Sequence, residues 1–322
     1  MKKRVHIRQL EIGMFVEDFE DGLSSDQRTT GGFLIKDAKD IASIVNSRSM
    51  SCVINVRKGV DIACGTLLFR PDDRERLEKQ LLGSYSAKEV ARAKSTMSSA
   101  ASQVRQLFLS AHDSSTVDMD AASSVVGELM SSSEDNTGAL INLLKLKDKD
   151  EGTFLHSLSV SILMVTFGRA LGFGEDTVRD LGIGGLVHDV GKVIVPSDVL
   201  KKEGKLDDKE LSKMRRHPEL GYAMLKRLNI SIPPSALDVC LYHHEKFDGS
   251  GYPRGLAGEN IPYSARLAAV CDVYDALTTI RPYKAAWSQA EALDKMMSAR
   301  GHFDPKLLKA FVSGLVLKGA LT

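Results

Sequence analysis

Residues 266 to 277 read RLAAVCDVYDAL, and this stretch decides the fold. Pro262 lies just before it, at a position where the missing N–H of proline costs nothing, so the sequence predicts a helix over 263–278. The helix is apolar nearly all round, which is typical of a helix buried in a core. A carboxylate at Asp272 would cost several kcal/mol there unless it is paired or metal-bound. The stretch therefore indicates a helical core with a functional carboxylate inside it.

Helical patterns continue on both sides of this stretch. One apolar stripe that ends at Gly172 consists of His156, Val160, Leu163, Phe167 and Leu171. Asp207 and Glu210 form a capping-box-like helix start, and Pro218 begins the next helix. No strand signal is strong enough to add a sheet to this half. We predict an all-α domain over 150–322.

The first 70 residues have a different pattern. Short β-like runs at 33–35, 52–56 and 66–69 alternate with Gly and Asp turn signals. This pattern predicts a small α+β domain over 1–70, so the whole chain is expected to be mostly α.

Residues 71–149 return to helical spacing. Apolar residues recur at helical intervals from Ala87 to His112 and again from Val125 to Met130. Serine clusters interrupt this region, but serine is only a mild penalty in a helix and does not prove a linker. We interpret 71–149 as a helical connector or packing layer.

Composition limits the classes of function. A chain of 322 residues is long enough for two domains. Its 43 Lys and Arg nearly balance 42 Asp and Glu, so no global field recruits DNA, RNA or an anionic membrane. The four cysteines form no CxxC pair, which favours unpaired thiols in a reducing compartment. No signal-like or ~20-residue apolar stretch occurs, so we expect a soluble, cytoplasmic protein.

Histidines and aspartates suggest a metal site. Five of the eight histidines and two aspartates fall in or beside the predicted helices: His156, His188, Asp189, His217, His243, His244 and Asp272. Imidazole and carboxylate suit Fe, Mn, Zn or Ni, and a dinuclear site needs about six to eight such ligands. Asp189 follows an apolar helix, and an aspartate can bridge two metals whereas a histidine cannot.

Each of these residues also has a plainer interpretation. A single histidine on an apolar helix face is more often a core residue than a ligand. His243 and His244 point about 100° apart on a helix, so one of them could orient the other instead of binding metal. Asp275 could pair with an arginine or touch metal. His6, His112 and His302 lack this context and are interpreted as surface or packing residues.

Long contiguous segments turn these scattered residues into a specific signal. They occur in one order along the chain: HDVGKVIVPSDVL at 188–200, HPELG at 217–221, HHEKFDGSGYPRGLAGENIP at 243–262, ARLAAVCDVYDALTTIRPYK at 265–284 and HFDP at 302–305. In order and spacing they resemble the HD-GYP family over most of 150–312. LEIGMFVED at 10–18 and VINVRKGVDI at 53–62 more weakly resemble a small domain often found before HD-GYP domains.

The resemblance implies a metal-dependent phosphodiesterase with an all-helical HD fold. Such enzymes hydrolyse the bacterial second messenger cyclic di-GMP to the linear dinucleotide or to GMP, and some relatives prefer cyclic GMP-AMP. Carried onto this sequence, one metal would be held by His156, His188, Asp189 and Asp272. The second would be held by bridging Asp189 with His217, His243 and His244.

The number of metals follows from one departure from the family pattern. Family members with three metals carry a glutamate four residues before the first histidine, where this chain has Gly152, and Glu151 is one step off. On a helix that step is a rotation of about 100°, so Glu151 faces elsewhere unless the helix starts later. We expect two divalent ions, iron or manganese.

Substrate contacts are also implied by the resemblance. Lys192, Arg281 and Lys284 match positions that contact phosphate, although Lys284 alone would pass for solvated surface charge. The GYP loop, residues 249–253, contains two glycines and a proline and cannot continue a helix. It would serve as a lip and a partner surface, with Tyr252 available to stack on a base or present only as part of a structural turn.

The mechanism implied is in-line attack on phosphorus, with Asp189 and Lys192 as catalytic residues beside the metals. The expected partners are the cyclic dinucleotide, a diguanylate cyclase that contacts the GYP loop, and a second copy of the chain in a homodimer. One rival is a catalytically weak module that only binds cyclic dinucleotide or a cyclase. Another is an HD hydrolase of deoxynucleotides or guanosine alarmones, which the GYP and RPYK segments argue against.

Overall fold

We describe the chain from a computed structural model. It describes residues 2–6, 10–19, 32–45, 51–60, 85–114, 116–145, 152–200, 202, 206–228, 232–279 and 289–316. The chain divides into two compact units, Met1–Leu68 and Phe69–Thr322. The domain boundaries that we drew from the sequence remain predictions.

The amino-terminal unit is a small α+β structure. Four strands form an antiparallel sheet in the order β1-β4-β2-β3. The elements are β1 (Lys2–His6), β2 (Phe15–Phe19), β3 (Phe33–Leu34), α1 (Ala38–Val45) and β4 (Ser51–Asn55). Met14, Ile35 and Ile54 lie in its buried core. Strands predicted at 33–35 and 52–56 are confirmed, and the run at 66–69 lies outside the described residues.

The second unit consists of helices joined by loops, and its described residues contain no strand apart from an isolated bridge between Asp248 and Ala257. Its α-helices are α2 (Ala87–Ser114), α3 (Met119–Lys145), α4 (Gly152–Ala170), α5 (Glu175–Val187), α6 (Ser197–Leu200), α7 (Asp208–Met214), α8 (His217–Lys226), α9 (Pro234–Tyr242), α10 (Tyr263–Thr278), α11 (Gln289–Ser298) and α12 (Pro305–Phe311). The described residues of this unit also form two 3₁₀ turns, Val190–Ile194 and Gly258–Asn260, and a π turn, Val312–Val316. The predicted mostly helical fold is confirmed.

Local signals place several helix ends. Gly172 follows α4 with a φ of 82°, the left-handed backbone that favours glycine after a helix. The capping box at the start of α7 forms as predicted, because Asp207 accepts from the backbone of Glu210 and Glu210 accepts in return. The serine clusters at 98–102 and 131–133 lie inside α2 and α3 and mark no loop.

One hydrophobic core runs through the second unit. Helix α4 is buried on opposite sides, with Leu158 and Ile162 on one side and Phe167 on the other. Residues of α2 and α3 belong to the same core, so the region interpreted as a connector packs directly with the later helices. No helix in the described ranges has both the length and the apolar composition needed to cross a bilayer. Three cysteines, Cys52, Cys240 and Cys271, are buried, and Cys64 lies outside the described residues.

Candidate metal centre

The predicted ligands come from several helices and meet around Asp189. His156 lies within α4 and Asp272 within α10, while the other ligands lie at helix ends: His188 closes α5, Asp189 opens the first 3₁₀ turn, His217 opens α8, and His243 and His244 follow α9. A methyl group at Gly191 would lie 2.0 Å from the carbonyl oxygen of His217. Glycine there lets the turn after Asp189 approach α8 closely.

The two carboxylate oxygens of Asp189 face different histidines. Its Oδ2 lies 3.2 Å from Nε2 of His188 and 3.8 Å from Nε2 of His156. Its Oδ1 lies 3.2 Å from Nε2 of His217 and 3.8 Å from Nε2 of His243. Asp189 is fully buried, so both oxygens are directed at protein groups. This is the arrangement expected of a carboxylate that bridges two metal ions.

Two donor sets with ligand atoms within 4.8 Å of one another result. The first set is His156, His188 and Asp189, and the second set is Asp189, His217, His243 and His244. Asp272 adjoins the first set, with its Oδ1 3.0 Å from Nε2 of His156. The structure thus brings together all seven residues that the sequence suggested as ligands.

Hydrogen bonds fix the direction of three of the histidine rings. Nδ1 of His188 lies 2.7 Å from the carbonyl of Gly185, and Nδ1 of His217 lies 2.8 Å from that of Met214. Nδ1 of His243 lies 2.9 Å from the carbonyl of Val239. A carbonyl only accepts, so each Nδ1 donates a hydrogen to it and each Nε2 faces the centre. Histidine ligands of metals are typically held in this way.

A carboxylate takes the place of the backbone carbonyl behind His156. Oδ2 of Asp275 lies 2.7 Å from Nδ1 of His156, and the hydroxyl of Thr279 donates to Oδ1 of Asp275 at 3.0 Å. Asp275 is buried, and it contacts a predicted ligand through the nitrogen that faces away from the centre. Neither sequence-based reading of Asp275, an arginine partner or a direct metal ligand, described this role. The sequence feature that could have indicated this role is the position of Asp275, one turn from Asp272 on the same buried helix.

Neighbouring charges lower the pKa values of Asp189 and Asp272 and raise that of His156. Burial alone would raise the pKa of Asp189, but the neighbouring His188 and Lys192 hold it well below its ordinary value. Burial would also raise the pKa of Asp272, yet its hydrogen bond with His156 lowers it strongly. The pKa of His156 is raised, because Asp272 and Asp275 outweigh its burial.

The histidines of the second set behave differently. Burial lowers the pKa of His243 well below its ordinary value, and the neighbouring His244 lowers it further. Burial lowers the pKa of His244 to about 3. Both rings are therefore neutral near pH 7, the form in which imidazole binds a metal.

The residues fit divalent metal ions. Within the described part of the chain, neither Nε2 of His188 nor Oδ1 of Asp189 has a hydrogen-bond partner, although both atoms are buried. Buried polar atoms are almost always satisfied, so such atoms call for an explanation such as an ion. Imidazole nitrogens and carboxylate oxygens together suit first-row transition metals.

The expectation that His243 and His244 diverge is not met. Helix α9 ends at Tyr242, and His243 follows it with helical backbone angles (φ −62°, ψ −15°), so His244 lies just beyond the helix. The ring centroids of the two histidines lie 4.1 Å apart, and both rings belong to the second set. Two adjacent positions at a helix end thus supply rings to one set, which the rotation of about 100° per residue did not lead us to expect.

The structure describes two of the four predicted substrate-binding residues, Lys192 and Tyr252. Lys192 is half-buried, and its ammonium group donates to Oδ2 of Asp189. The ring of Tyr252 stacks on His244 with centroids 4.7 Å apart, and the guanidinium of Arg215 lies 5.4 Å from its centroid. Tyr252 thus already has protein partners on its ring. Arg281 and Lys284 lie outside the described residues.

The histidines that were set aside take no part in the donor sets. His302 is half-buried and stacks on Phe303 at 4.3 Å, and His112 is exposed beside Asp113. The side chain of His6 lies outside the described residues. Helix α4 begins at Gly152, one turn before His156, and Glu151 is not described either. The inference from Gly152 to two ions therefore remains a prediction.

Comparison with known proteins agrees with this fold and donor set. The profile of the family described as HD domain matches residues 138–307, and that of a Domain of unknown function (DUF3391) matches residues 2–122. The solved structure of Bd1817, an HDG"Y"P protein from Bdellovibrio bacteriovorus, covers 99% of this chain and all of its own, with a TM-score of 0.57 at 15% identity. This similarity shows the fold alone. Fold and site together define an HD-domain hydrolase.

Among HD-domain hydrolases, the relatives similar to this chain are named as cyclic dinucleotide phosphodiesterases. Cyclic di-GMP phosphodiesterase PA4108 of Pseudomonas aeruginosa is 38% identical over the whole chain and 79% of its own length. The response regulator RpfG of Xanthomonas campestris, a cyclic di-GMP phosphodiesterase, is 42% identical over 54% of this chain and 46% of its own. The 3'3'-cGAMP-specific phosphodiesterase 2 of Vibrio cholerae is 34% identical over 56% of this chain and 35% of its own. The chain belongs to the HD-GYP family.

Proposed function

We propose that this chain is a metal-dependent phosphodiesterase that opens cyclic di-GMP. The observation that carries the proposal is the carboxylate of Asp189, whose two oxygens face separate groups of imidazoles. Cyclic di-GMP is favoured over cyclic GMP-AMP because the relative similar along the whole chain, PA4108, is named for it. The relative named for cGAMP matches little more than half of this chain.

The residues divide between two divalent ions, for which we propose iron or manganese. His156, His188, Asp189 and Asp272 would hold the first, and Asp189, His217, His243 and His244 the second. When bound, the ions would activate water and withdraw charge from the phosphodiester. Because His156 and the second-set rings come from different helices, the core of the second unit fixes the distance between the two sets.

The chain's own residues then act on the substrate. Asp189 stays deprotonated because its pKa is held low, so it can serve both sets at once. Lys192 donates one hydrogen to Asp189, and its ammonium group has two more that can meet phosphate oxygens. We propose that Lys192, Arg281 and Lys284 neutralise the phosphates and that Tyr252 borders the substrate. A diguanylate cyclase contact through the GYP loop and a homodimer stay predictions.

The test uses protein purified without oxygen and analysed for metal content. The full chain is given cyclic di-GMP or cyclic GMP-AMP, and the products are separated over time. We expect faster consumption of cyclic di-GMP and accumulation of the linear dinucleotide, in keeping with Gly152 at the position of the third-metal glutamate. Stoichiometric binding without turnover, in protein that holds two ions, would contradict the proposal and favour a binding module.

A further inference from the structure

Glu245 follows the two histidines of the second set and is almost completely buried. Its side chain is 2% exposed, and no ion pair balances it among the described residues. A buried carboxylate is costly unless hydrogen bonds compensate it. Both oxygens of Glu245 do accept such bonds, and the donors are backbone N–H groups just beyond the GYP loop. These two hydrogen bonds are what allows a charged Glu245 to be buried.

The contacts of Glu245 tie the loop to the centre. Its Oε1 accepts from the backbone N–H of Arg254 at 2.6 Å, and its Oε2 accepts from that of Leu256 at 3.1 Å. Within the loop, the N–H of Tyr252 donates to the carbonyl of His244 at 3.2 Å. A methyl group at Gly251 would lie 2.3 Å from the backbone nitrogen of Lys246, so the loop lies directly on the chain that carries the ligand.

His244 depends on this loop for its orientation. Each other histidine of the centre is oriented by a hydrogen bond from its Nδ1 to a backbone carbonyl or to Asp275. In the part of the chain that is described, the ring of His244 makes no hydrogen bond. Its closely parallel partner is the ring of Tyr252, at 4.7 Å and an interplanar angle of 26°. The rings of His243 and His217 also contact His244, at 4.1 and 5.0 Å, but they are tilted or perpendicular to it, so the stacked face of His244 depends on Tyr252.

We propose that Glu245 is a positioning residue that clamps the GYP loop and so keeps Tyr252 stacked on His244. Glu245 would touch neither ion nor substrate, and its effect would pass through the tyrosine ring to one ligand of the second set. The inference rests on the proposed function only through the ion that His244 would hold. The clamp itself can be tested without ion or substrate.

The chain offers a matched control for this proposal. Glu219 also contacts Arg254, but through the guanidinium, at 3.3 Å, and both side chains of that pair are largely exposed. Exposed pairs contribute little to stability. Arg254 is itself a trypsin site on the exposed side of the clamped segment, so cleavage after it reports local opening. Lys58, 52% exposed in the amino-terminal unit, provides an internal reference cut.

The experiment compares Glu245→Ala, Glu245→Gln and Glu219→Ala with the unaltered full chain. Removing the acceptor of two partly buried N–H groups should make cleavage after Arg254 about tenfold faster in Glu245→Ala. Cleavage after Lys58 should not change. Gln keeps one accepting oxygen, so Glu245→Gln should fall between, and Glu219→Ala should match the unaltered chain.

Metal retention gives the second measurement. In competition with a weak chelator, the affinity of Glu245→Ala for one of the two ions should be about tenfold lower. Its affinity for the other ion should not change. Tyr252→Leu should release the same ion without faster cleavage, because it removes the ring and leaves the clamp. Unchanged cleavage after Arg254 would overturn the proposal, as would equal acceleration at Lys58 or loss of both ions. If the unaltered chain holds no ion, the proposed function fails while the cleavage result still decides on the clamp.

Discussion

The two donor sets share Asp189 but differ in the charge around them. The first set has Asp272 against His156 and Asp275 behind it, so carboxylates flank both nitrogens of that ring. The second set adds only histidines to Asp189. The pKa values follow this difference, since carboxylates raise the pKa of His156 whereas burial among other rings lowers that of His244 to about 3.

The difference indicates how each set would hold a divalent ion. Opposite charges in a buried site attract more strongly than in water, so the carboxylate-rich first set should bind its ion more tightly. The second set relies on Asp189 for its charge and on neutral, preoriented imidazoles for the remaining bonds. Two affinities are therefore expected in one centre, with Asp189 necessary for both.

Asp189→Ala should have the largest effect. It removes the carboxylate that faces both sets, so metal content should fall from two ions to nearly none. Turnover of cyclic di-GMP should drop by about a thousandfold or more, because the ions and the partner of Lys192 are lost together. Metal analysis and steady-state kinetics measure both effects. An Asp189→Ala variant with two ions and full activity would refute the bridging role.

Asp272→Ala and His244→Ala should separate the two sets. In a chelator titration, Asp272→Ala should lose the tighter binding phase, because a negative charge leaves the first set. His244→Ala should lose only the weaker phase. The loss at Asp272 should exceed the roughly 100-fold that changes outside the ligands produce. If both variants altered the same phase, the two sets would not be independent.

Much of the site could be predicted from local patterns. The apolar helix around Asp272 predicts a buried carboxylate that needs a partner, and the segments around His188 and His243 keep the family order. The expected helices and the capping box at Asp207 form, because periodicity and capping depend on neighbouring residues.

The remaining features depend on contacts that the sequence does not contain. Asp275 and His156 are 119 positions apart and meet only when α10 packs on α4. His243 and His244 both reach the second set although they are neighbours at the end of α9, and the sequence places a helix end only to within a residue or two. Nothing in the sequence around Glu245 shows whether it is a buried residue that holds the loop or an exposed surface charge.

Asp275→Asn should weaken the first set without removing a ligand. The amide can still accept from Nδ1 of His156, but it no longer carries the charge that raises the pKa of that ring. Affinity for the tighter ion should fall about tenfold, and the weaker phase should remain. Thr279→Val, which deletes the hydroxyl that donates to Asp275, should cause a smaller loss in the same phase. A change in the weaker phase instead would place Asp275 with the other set.

Ile162→Val should have the smallest effect on the centre. Ile162 is fully buried on α4, the helix that carries His156, and the change removes one methylene from the core. The free energy of unfolding should fall by about 1 kcal/mol, measured by denaturant titration. Both metal affinities should stay unchanged, because the charges and hydrogen bonds around Asp189 are untouched. If either affinity fell with this change, core stability and not local charge would govern the difference between the two sets.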